Sequence, residues 1–460
     1  MATLDGTEAV SVLQGALRGS YIDRGAAEYD SARALYNAMI DRRPEAIVQC
    51  ADTADVIAAL AYARERDLRV AVRGGGHNGA GLGSVDDGLV IDLSPMRGVT
   101  VDPEAKIARV QGGAELGAVD HATHAYGLAV PAGIISTTGV GGLTLGGGLG
   151  HLTRRCGLTI DNLASAEVVL ADGSCVTADA ERHPDLFWAL RGGGGNFGIV
   201  TSFEFRCHEI AHVLAGPVLY DIDDAAELLS WWREFGPAQP DELSGFFAFL
   251  SVPPGPPFPE ELHLRKVCAV VWCYCGADPD PECLREARAF GRPLLDGVGP
   301  MPLPALQSAF DGVYPKGDQW YWRADFLSEI PDDAVSVHAE HGHAMPTWKS
   351  TMHLYPIDGA ASRVGADETP WAYRDAKWAQ VIVGVDPDPA NAQTIRDWCV
   401  DYWNATHPYS MGGAYVNFMM DEGQDRVRAT YGDNYARLAR VKQAYDPDNF
   451  FCVNQNIRPD

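Results

Sequence analysis

The chain has 460 residues, of which 46% are hydrophobic, and its formal net charge is -26 at pH 7 because Asp and Glu outnumber Lys and Arg. This length is enough for two domains that each bury a core, and the negative charge argues against nucleic acid and anionic membrane as partners. The N-terminus lacks the basic start and apolar run of a signal peptide, and no apolar stretch is long enough to cross a bilayer, so we expect a cytoplasmic protein.

The first half of the chain alternates predicted helices with predicted strands. The predicted helices span residues 55–66 (with Thr53 as N-cap), 116–125 and 184–190. The predicted strands span residues 68–72, 89–93, 107–111 and 199–205, with a β-hairpin at 166–170 and 174–178. The segment 139–150 contains too many glycines for a core element, so it indicates that backbone approaches a ligand closely.

Two loops in this half match the spacing of the dinucleotide fingerprint, at residues 74–79 and 193–198. That fingerprint requires a helix directly after the loop, whereas a predicted strand follows each of these loops. No Gly-Lys-Ser or Gly-Lys-Thr follows them either. The sequence therefore predicts neither a Rossmann nicotinamide site nor a P-loop.

The pattern changes between residues 208 and 410. Strand-like runs at residues 245–252, 264–275 and 320–327 alternate with helical runs at 283–291 and 390–403, which indicates an antiparallel sheet covered by helices on one face. Ten cysteines without an export signal predict reduced thiols. The pair Cys273 and Cys275 lacks the further ligands of a zinc site, so no metal is expected.

Aromatic and polar side chains in this region are candidates for a binding pocket. Alternation along a strand places Trp320 and Trp322 on one face and Tyr321 on the other. Either face could line a pocket, and the two tryptophans could equally fill the core between sheet and helices. His353, Tyr355 and Tyr373 are further polar candidates whose direction the sequence does not assign.

Four ordered motifs resemble those of the berberine-bridge-enzyme-like flavin oxidases in the vanillyl-alcohol-oxidase group. They are Arg-Gly-Gly-Gly-His-Asn at 73–78, the glycine tract at 139–150, Gly-Leu-Thr-Ile-Asp-Asn at 157–162 and Tyr-Val-Asn-Phe at 415–418. The resemblance runs from about Tyr36 to the C-terminus and implies an α+β, two-domain fold of the PCMH type. It implies an FAD-binding domain over residues 1–207, a substrate-binding domain over 208–410 with a helix-covered antiparallel sheet, and a C-terminal segment, 411–460, that completes the first domain.

The resemblance implies that FAD is bonded covalently through its 8α-methyl group to the imidazole of His77. Many relatives attach FAD a second time, to a cysteine before the glycine tract, but Ile135 occupies that position here and Cys156 lies beyond the tract. A single covalent link is therefore expected, as in the mono-covalent branch of the family. The other residues implied to hold FAD are Arg73, Gly74, Gly75, Gly76, Asn78, Thr138, Gly139, Gly142, Gly146, Gly147, Gly150, Asn162, Gly198, Ile199, Val200 and Asn454.

The implied activity is that of an oxidase. Such an enzyme transfers a hydride from a hydroxyl- or amine-bearing carbon of a small or medium organic substrate, a secondary metabolite or a sugar, to the flavin, and dioxygen then accepts the electrons. Thr138, three positions after Ile135, is implied to line the side of the flavin that dioxygen reaches. A flavin dehydrogenase with a quinone or protein acceptor, and a non-catalytic flavin- or ligand-binding protein, remain alternatives. The protein is expected to be a monomer or a homodimer.

The proton acceptor is predicted from the last motif. Plant members often end this motif with a tyrosine, where this chain has Phe418, so we predict that Tyr415 accepts the proton and that Asn417 orients it or the flavin. On a strand, Tyr415 and Asn417 would share a face and Phe418 would lie on the other. A tyrosine with its ordinary pKa of about 10 is a poor base, so a donor or a positive charge would have to lower that pKa. Tyr415 could instead only pack against the flavin.

Overall fold

The protein is described from a computed structural model that covers residues 6–460 in detail. The first five residues, on which part of the expectation of no signal peptide rests, lie outside the described residues. The described strands form three sheets of four, five and eight strands, and helices pack against each of them. This mixture of helices with largely antiparallel sheets confirms the predicted α+β class.

The four-stranded sheet holds the strand that leads into the residue 73–78 loop. Its strands are β1 (Ser20–Asp23), β2 (Ala46–Gln49), β3 (Val70–Arg73) and β4 (Leu89–Asp92), in the order β1-β2-β4-β3. β2 and β3 each run parallel to β4. The associated helices are α1 (Gly6–Ala16), α2 (Tyr29–Arg33) and α3 (Thr53–Glu65). The N-cap of α3 is Asp52, not Thr53 as predicted, because the Asp52 carboxylate accepts hydrogen bonds from the backbone N–H groups of Ala54 (3.0 Å) and Asp55 (3.2 Å).

The five-stranded sheet is antiparallel and carries the predicted hairpin. Its strands are β5 (Val99–Asp102), β6 (Ile107–Gln111), β7 (Leu163–Val169), β8 (Cys175–Asp179) and β9 (Ile199–Arg206), in the order β5-β6-β9-β7-β8. The helices of this region are α4 (Leu116–His124), α5 (Val140–Gly146), α6 (Thr153–Cys156) and α7 (Pro184–Leu190). Helix α5 corrects the prediction for the glycine tract, because Val140, Thr144 and Leu145 are buried and hold this part of the tract in a helix.

The eight-stranded sheet is antiparallel and covered by helices on one face. Its strands are β10 (His212–Asp221), β11 (Leu243–Ser251), β12 (Lys266–Tyr274), β13 (Leu295–Asp296), β14 (Gly299–Pro302), β15 (Gln319–Leu327), β16 (Thr351–Pro356) and β17 (Trp378–Asp386). The order is β13-β10-β12-β11-β16-β17-β15, and β14 also pairs with β10. The helices of this region are α8 (Ala225–Phe235), α9 (Glu282–Arg288), α10 (Leu303–Gln307), α11 (Asp332–His343) and α12 (Ala392–Thr406).

The two faces of this sheet have different neighbours. Trp232 of α8, Ala334 of α11 and Tyr402 of α12 pack in one core with the helix-side residues of the strands. Trp320, Tyr355 and other residues of the opposite face belong to a second cluster. That second face is free to form the wall of a cavity.

The C-terminal segment returns to the five-stranded sheet. It contains α13 (Gln424–Tyr431) and α14 (Tyr435–Tyr445), and Leu438 of α14 lies in the same core as Phe203 of β9. The buried Lys442 ammonium donates to the carbonyl oxygens of Asn196 (2.7 Å) and Phe451 (2.9 Å) and to the Asp446 carboxylate (2.6 Å). This return brings residues 411–420 between the five- and eight-stranded sheets, while the domain boundaries after residues 207 and 410 stay predictions.

Short 3-10 helices complete the secondary structure. They span Thr159–Asn162, Ile222–Asp224, Gly236–Ala238, Glu260–Leu262, Ala361–Arg363, Pro389–Asn391, His407–Tyr409, Val416–Phe418 and Gly432–Asn434. Among the helices of residues 6–460, none combines the length and the apolar character that crossing a bilayer requires.

Candidate active site

A cavity of about 350 Å³ lies where the three sheets meet. Val72 of β3, Val200 of β9 and Val383 of β17 all line it, so each sheet contributes to its wall. A cavity of this size is in the range of cofactor and ligand sites. Within the described residues no group of three His, Cys, Asp or Glu side chains is placed to hold a metal ion.

The glycines of two loops allow the backbones at one end of the cavity to approach each other. A Cβ atom on Gly75 would lie 2.4 Å from the amide nitrogen of Gly139, and one on Gly139 would lie 2.3 Å from the amide nitrogen of Gly75. Real Cβ contacts are not this short, so both positions require glycine at this approach. The contact places the residue 73–78 loop beside the start of α5.

His77 lies in this loop and is held by three neighbours. Its Nε2 is 3.1 Å from Thr137 Oγ1, its Nδ1 is 3.5 Å from Thr138 Oγ1, and its ring stacks on Tyr36 with centroids 3.9 Å apart. Burial lowers the pKa of His77 to about 4, so the imidazole is neutral at pH 7. A neutral imidazole keeps a lone pair on one ring nitrogen, which a covalent bond to a cofactor carbon requires.

Unpaired polar atoms on two residues that line the cavity fit a bound cofactor. Arg73 donates through Nη2 to Asp92 Oδ2 at 2.8 Å, whereas its buried Nη1 has no partner within residues 6–460. The buried Oδ1 of Asn454 is likewise without a partner there. Buried polar groups are usually hydrogen-bonded, and both side chains line the cavity. A cation and glycine backbone in one place suit the pyrophosphate of FAD.

Most residues that the family resemblance assigned to FAD line this cavity. They are Arg73, Gly74, Gly75, Gly76, His77, Asn78, Thr138, Gly139, Gly142, Gly198, Ile199, Val200 and Asn454. Ile135 also lines it, whereas no cysteine of residues 6–460 does. Cys156 lies in a separate apolar cluster with Leu152 and Ile210.

Four residues that we assigned to FAD lie outside the cavity wall, namely Gly146, Gly147, Gly150 and Asn162. The three glycines serve close packing, since a Cβ atom on Gly146 would lie 2.2 Å from Asn417 Oδ1 and one on Gly150 would lie 1.9 Å from the carbonyl oxygen of Ala132. Asn162 is buried and its Nδ2 donates to the carbonyl oxygens of Cys156 and Leu158, each at 2.9 Å. These contacts give Asn162 a structural role.

Sequence reasoning missed several residues of the cavity wall. Gly194 and Gly195 line the cavity, although only Gly198 of their loop was assigned to FAD. Tyr36 was passed over because it lies far from the motifs along the chain. Glycine density was the signal that could have found the first pair, whereas nothing in the sequence indicated that Tyr36 stacks on His77.

Aromatic side chains form a further part of the cavity wall, which we call the aromatic wall. It consists of Phe310, Tyr314, Trp320, Trp322, Tyr355 and Phe418. The indole rings of Trp320 and Trp322 are 6.0 Å apart at 85°. Neither indole Nε1 has a partner among the described residues, although both are buried.

Tyr321 and Tyr373, which we also assigned to the substrate, do not line the cavity. Tyr321 is on the helix-covered face of β15, in the core that contains Tyr402. The Tyr373 hydroxyl donates to the carbonyl oxygen of Ala429 at 2.7 Å, and its ring stacks on Phe326. The alternation predicted for the strand is correct, and Trp320 and Trp322 are on its cavity face.

Tyr415 lines the cavity but is not on a strand as predicted. It precedes the 3-10 turn Val416–Phe418, and its hydroxyl oxygen accepts hydrogen bonds from the backbone N–H of Gly148 (2.9 Å) and from Asn417 Nδ2 (2.7 Å). The turn also places Phe418 beside Tyr415, with ring centroids 4.7 Å apart, and not on an opposite face. Burial raises the pKa of Tyr415 to about 12, although both donors act to lower that pKa.

A chain of hydrogen bonds on β16 faces the same cavity. Thr351, His353 and Tyr355 all line the cavity. His353 Nε2 is 2.9 Å from Thr351 Oγ1, and His353 Nδ1 is 2.6 Å from the Tyr355 hydroxyl oxygen. Burial lowers the pKa of His353 to about 3 and raises that of Tyr355.

Comparisons with known proteins place the chain among FAD-linked oxidoreductases. The FAD binding domain family matches residues 44–179, and the family described as berberine and berberine like matches residues 414–458. The chain is 34% identical over 451 residues to the uncharacterized FAD-linked oxidoreductase YgaK of Bacillus subtilis (strain 168), covering 96% of this chain and 97% of YgaK.

Two further comparisons involve an enzyme and a solved structure. The chain is 26% identical over 465 residues to (R)-6-hydroxynicotine oxidase of Paenarthrobacter nicotinovorans, covering 96% of this chain and 97% of that enzyme. The crystal structure of 6-hydroxy-D-nicotine oxidase from Arthrobacter nicotinovorans superposes with a TM-score of 0.84 at 24% identity, covering 96% of this chain and 98% of that one. This chain is thus an FAD-dependent enzyme that belongs to the berberine-bridge-enzyme-like family of FAD-linked oxidoreductases.

Proposed function

We propose that this protein is an oxidase that removes a hydride from a hydroxyl- or amine-bearing carbon of a small or medium organic molecule and delivers the electrons to dioxygen, forming hydrogen peroxide. FAD supplies the redox chemistry when it is bound. The observation that carries the proposal is that one cavity connects the His77 loop with the aromatic wall. A cofactor held by the His77 loop can therefore meet a substrate held by the aromatic wall.

His77 is the residue that we propose to bond FAD covalently. Its imidazole is neutral because burial lowers its pKa to about 4, and Tyr36 and Thr137 fix the orientation of the ring. The proposed link is single, since Ile135 stands where a second anchor would be needed and no described cysteine lines the cavity. Arg73 and Asn454 would hold polar parts of the same cofactor.

The cavity wall favours an uncharged substrate that contains a flat ring. Among the described residues that line the cavity, only Arg73 carries a formal charge at pH 7, and it is already paired with Asp92. A charged substrate would lose its hydration without gaining a partner. The aromatic wall offers ring faces on which a flat ring can stack.

A sugar fits this wall less well than an aromatic secondary metabolite does. A sugar carries a hydroxyl group on most of its carbons, and each buried hydroxyl needs a hydrogen-bond partner. The aromatic wall presents only a few polar atoms for that purpose. We therefore propose a hydroxylated ring compound as the substrate, ahead of an oligosaccharide.

Bleaching of the flavin absorbance under anaerobic conditions tests this proposal without a prior choice of acceptor. The purified holoenzyme would be mixed with neutral hydroxylated ring compounds, with carboxylated analogues of the same compounds, and with mono- and disaccharides. We expect bleaching by neutral ring compounds only, followed by hydrogen peroxide formation when air is admitted. Bleaching by sugars alone would contradict the proposed substrate class, and reoxidation by a quinone but not by air would favour a dehydrogenase.

A further inference from the structure

We propose that Tyr355, His353 and Thr351 form a proton relay in which Tyr355 accepts the proton of a substrate hydroxyl. This inference rests on the proposed oxidase function and adds the group that removes the proton. The three residues alternate along β16, so their side chains project from one face of the strand into the cavity. At most 6% of each residue is exposed, so bulk water does not compete for the hydrogen bonds among these three side chains.

The directions of the hydrogen bonds in this chain follow from one carbonyl. The Thr351 hydroxyl donates to the carbonyl oxygen of Phe249 at 2.6 Å, because a carbonyl can only accept. Thr351 Oγ1 then has no hydrogen left for His353, so His353 Nε2 must carry the hydrogen and donate to Thr351 at 2.9 Å. In the neutral ring the other nitrogen, Nδ1, is therefore a lone-pair acceptor.

The tautomer of His353 sets the role of Tyr355. Because His353 Nδ1 can only accept, the Tyr355 hydroxyl donates its hydrogen to that atom at 2.6 Å. The lone pairs of Tyr355 then remain available to accept a hydrogen bond from a substrate in the cavity. Phe246 packs against both rings, with centroids 5.0 Å from His353 and 5.0 Å from Tyr355, and so restricts their rotation.

The hydroxyl oxygen of Tyr415 accepts hydrogen bonds from its neighbours, whereas the Tyr355 hydroxyl donates to its neighbour. Its oxygen already accepts two N–H groups, from Gly148 and Asn417, so the group that it can offer is its own hydrogen. With a pKa raised to about 12 it keeps that hydrogen at neutral pH. We infer that Tyr415 donates a hydrogen bond and positions the substrate, while Tyr355 accepts the proton.

The proposed step balances in protons and electrons. When bound, FAD would supply the two-electron acceptor for the hydride that the substrate carbon loses, and the substrate O–H bond breaks as its proton passes to Tyr355. The Tyr355 proton passes to His353 Nδ1, which gives an imidazolium that still donates through Nε2 to Thr351. A carbonyl that forms with its proton still attached is a much stronger acid than an imidazolium, so even a buried histidine with a lowered pKa accepts this proton.

The relay is tested by comparing matched Tyr→Phe variants in the holoenzyme. With a ring compound that bleaches the wild-type flavin, Tyr355→Phe should slow anaerobic bleaching by about 100-fold or more, as expected for loss of a general base. Tyr415→Phe should cost less than Tyr355→Phe. Tyr321→Phe, the same change on the other face of the sheet, should leave the rate unchanged. A larger loss in Tyr415→Phe than in Tyr355→Phe would overturn the relay while leaving the oxidase function intact.

Nitrogen-15 NMR of labelled histidine gives a readout that needs no substrate. The signals that disappear in His353→Gln identify the ring, and they should show a protonated Nε2 and an unprotonated Nδ1. Thr351→Val should change this tautomer preference, because Nε2 loses its acceptor. A ring protonated at Nδ1 in the wild type would overturn the proposal, whatever the substrate screen shows.

Discussion

The chemistry at His77 depends on its immediate neighbours. A histidine in water has a pKa near 6.5 and is partly charged at neutral pH. Burial, with Tyr36 stacked on the ring, lowers the pKa of His77 to about 4 and keeps it neutral, although the hydrogen bond with Thr137 acts to raise that pKa. Thr138 lies on the other side of the ring, with its Oγ1 3.5 Å from Nδ1. His77, which we propose to bind the cofactor, is therefore in contact with Thr138, which we propose to face dioxygen.

Replacement of Thr138 by leucine tests that second role. Leucine is longer than threonine and would fill space in the cavity beside His77, so we expect slower reoxidation by dioxygen with little change in anaerobic bleaching. Thr138→Val keeps the shape of threonine and serves as the control. Stopped-flow mixing of the reduced protein with aerated buffer measures the rate, and equal rates in wild type and Thr138→Leu would remove Thr138 from the account.

At the scale of elements, the site depends on the contact between the residue 73–78 loop and the start of α5. Gly139→Ala should force this contact apart, because its Cβ would lie 2.3 Å from the amide nitrogen of Gly75. We expect an overpacking cost of about 1–3 kcal/mol, seen as a lower unfolding midpoint and less bound flavin. Gly15→Ala in α1 is the control, since its Cβ would have no atom within 4 Å. Normal flavin content in Gly139→Ala would show that the loops tolerate separation.

The sequence predicted most elements but not all of their details. Strand β6 and helix α7 have the predicted bounds, because their periodicity and end signals agree. Helix α5 was missed because its glycines disfavour a helix locally, whereas burial of Val140 and Leu145 stabilises it. The motif at 415–418 was assumed to be a strand, but a backbone hydrogen bond from Phe418 to Tyr415 at 2.8 Å closes a turn.

The local sequence pattern could not predict the direction in which the side chains of the site point. Alternation correctly separated Trp320 and Trp322 from Tyr321, yet the choice of cavity face depends on α12, which follows about 70 residues later and covers the Tyr321 side. The tautomer of His353 likewise depends on the carbonyl of Phe249, a residue of another strand. Contacts between residues distant in sequence therefore decide both the cavity face of β15 and the tautomer of His353.

At the scale of the whole molecule, a buried carboxylate should make stability depend on pH. Burial raises the pKa of Asp120 in α4 to about 7, whereas an aspartate in an unfolded chain titrates near 4. The unfolded state therefore releases this proton first as pH rises, so the contribution of Asp120 to stability falls between about pH 4 and 7 and stays lowered above pH 7.

Asp120→Asn should remove the loss of stability that the buried Asp120 carboxylate causes as pH rises. We expect the variant to unfold at a higher temperature than the wild type at pH 8 and at a similar temperature near pH 4, with the difference growing between those values. Thermal unfolding at several pH values measures it, and Glu181→Gln, a change at an exposed position, is the control. A difference between wild type and Asp120→Asn that does not change with pH would contradict the assignment.

The central claim, that one covalent bond at His77 holds FAD, is tested most directly by flavin fluorescence and intact mass of the denatured protein. We predict that the wild type and Cys156→Ser carry one flavin through denaturation and that His77→Ala carries none, with the flavin of the wild type mapped to the peptide containing His77. Flavin that stays attached in His77→Ala, or that maps to Cys156, would contradict it.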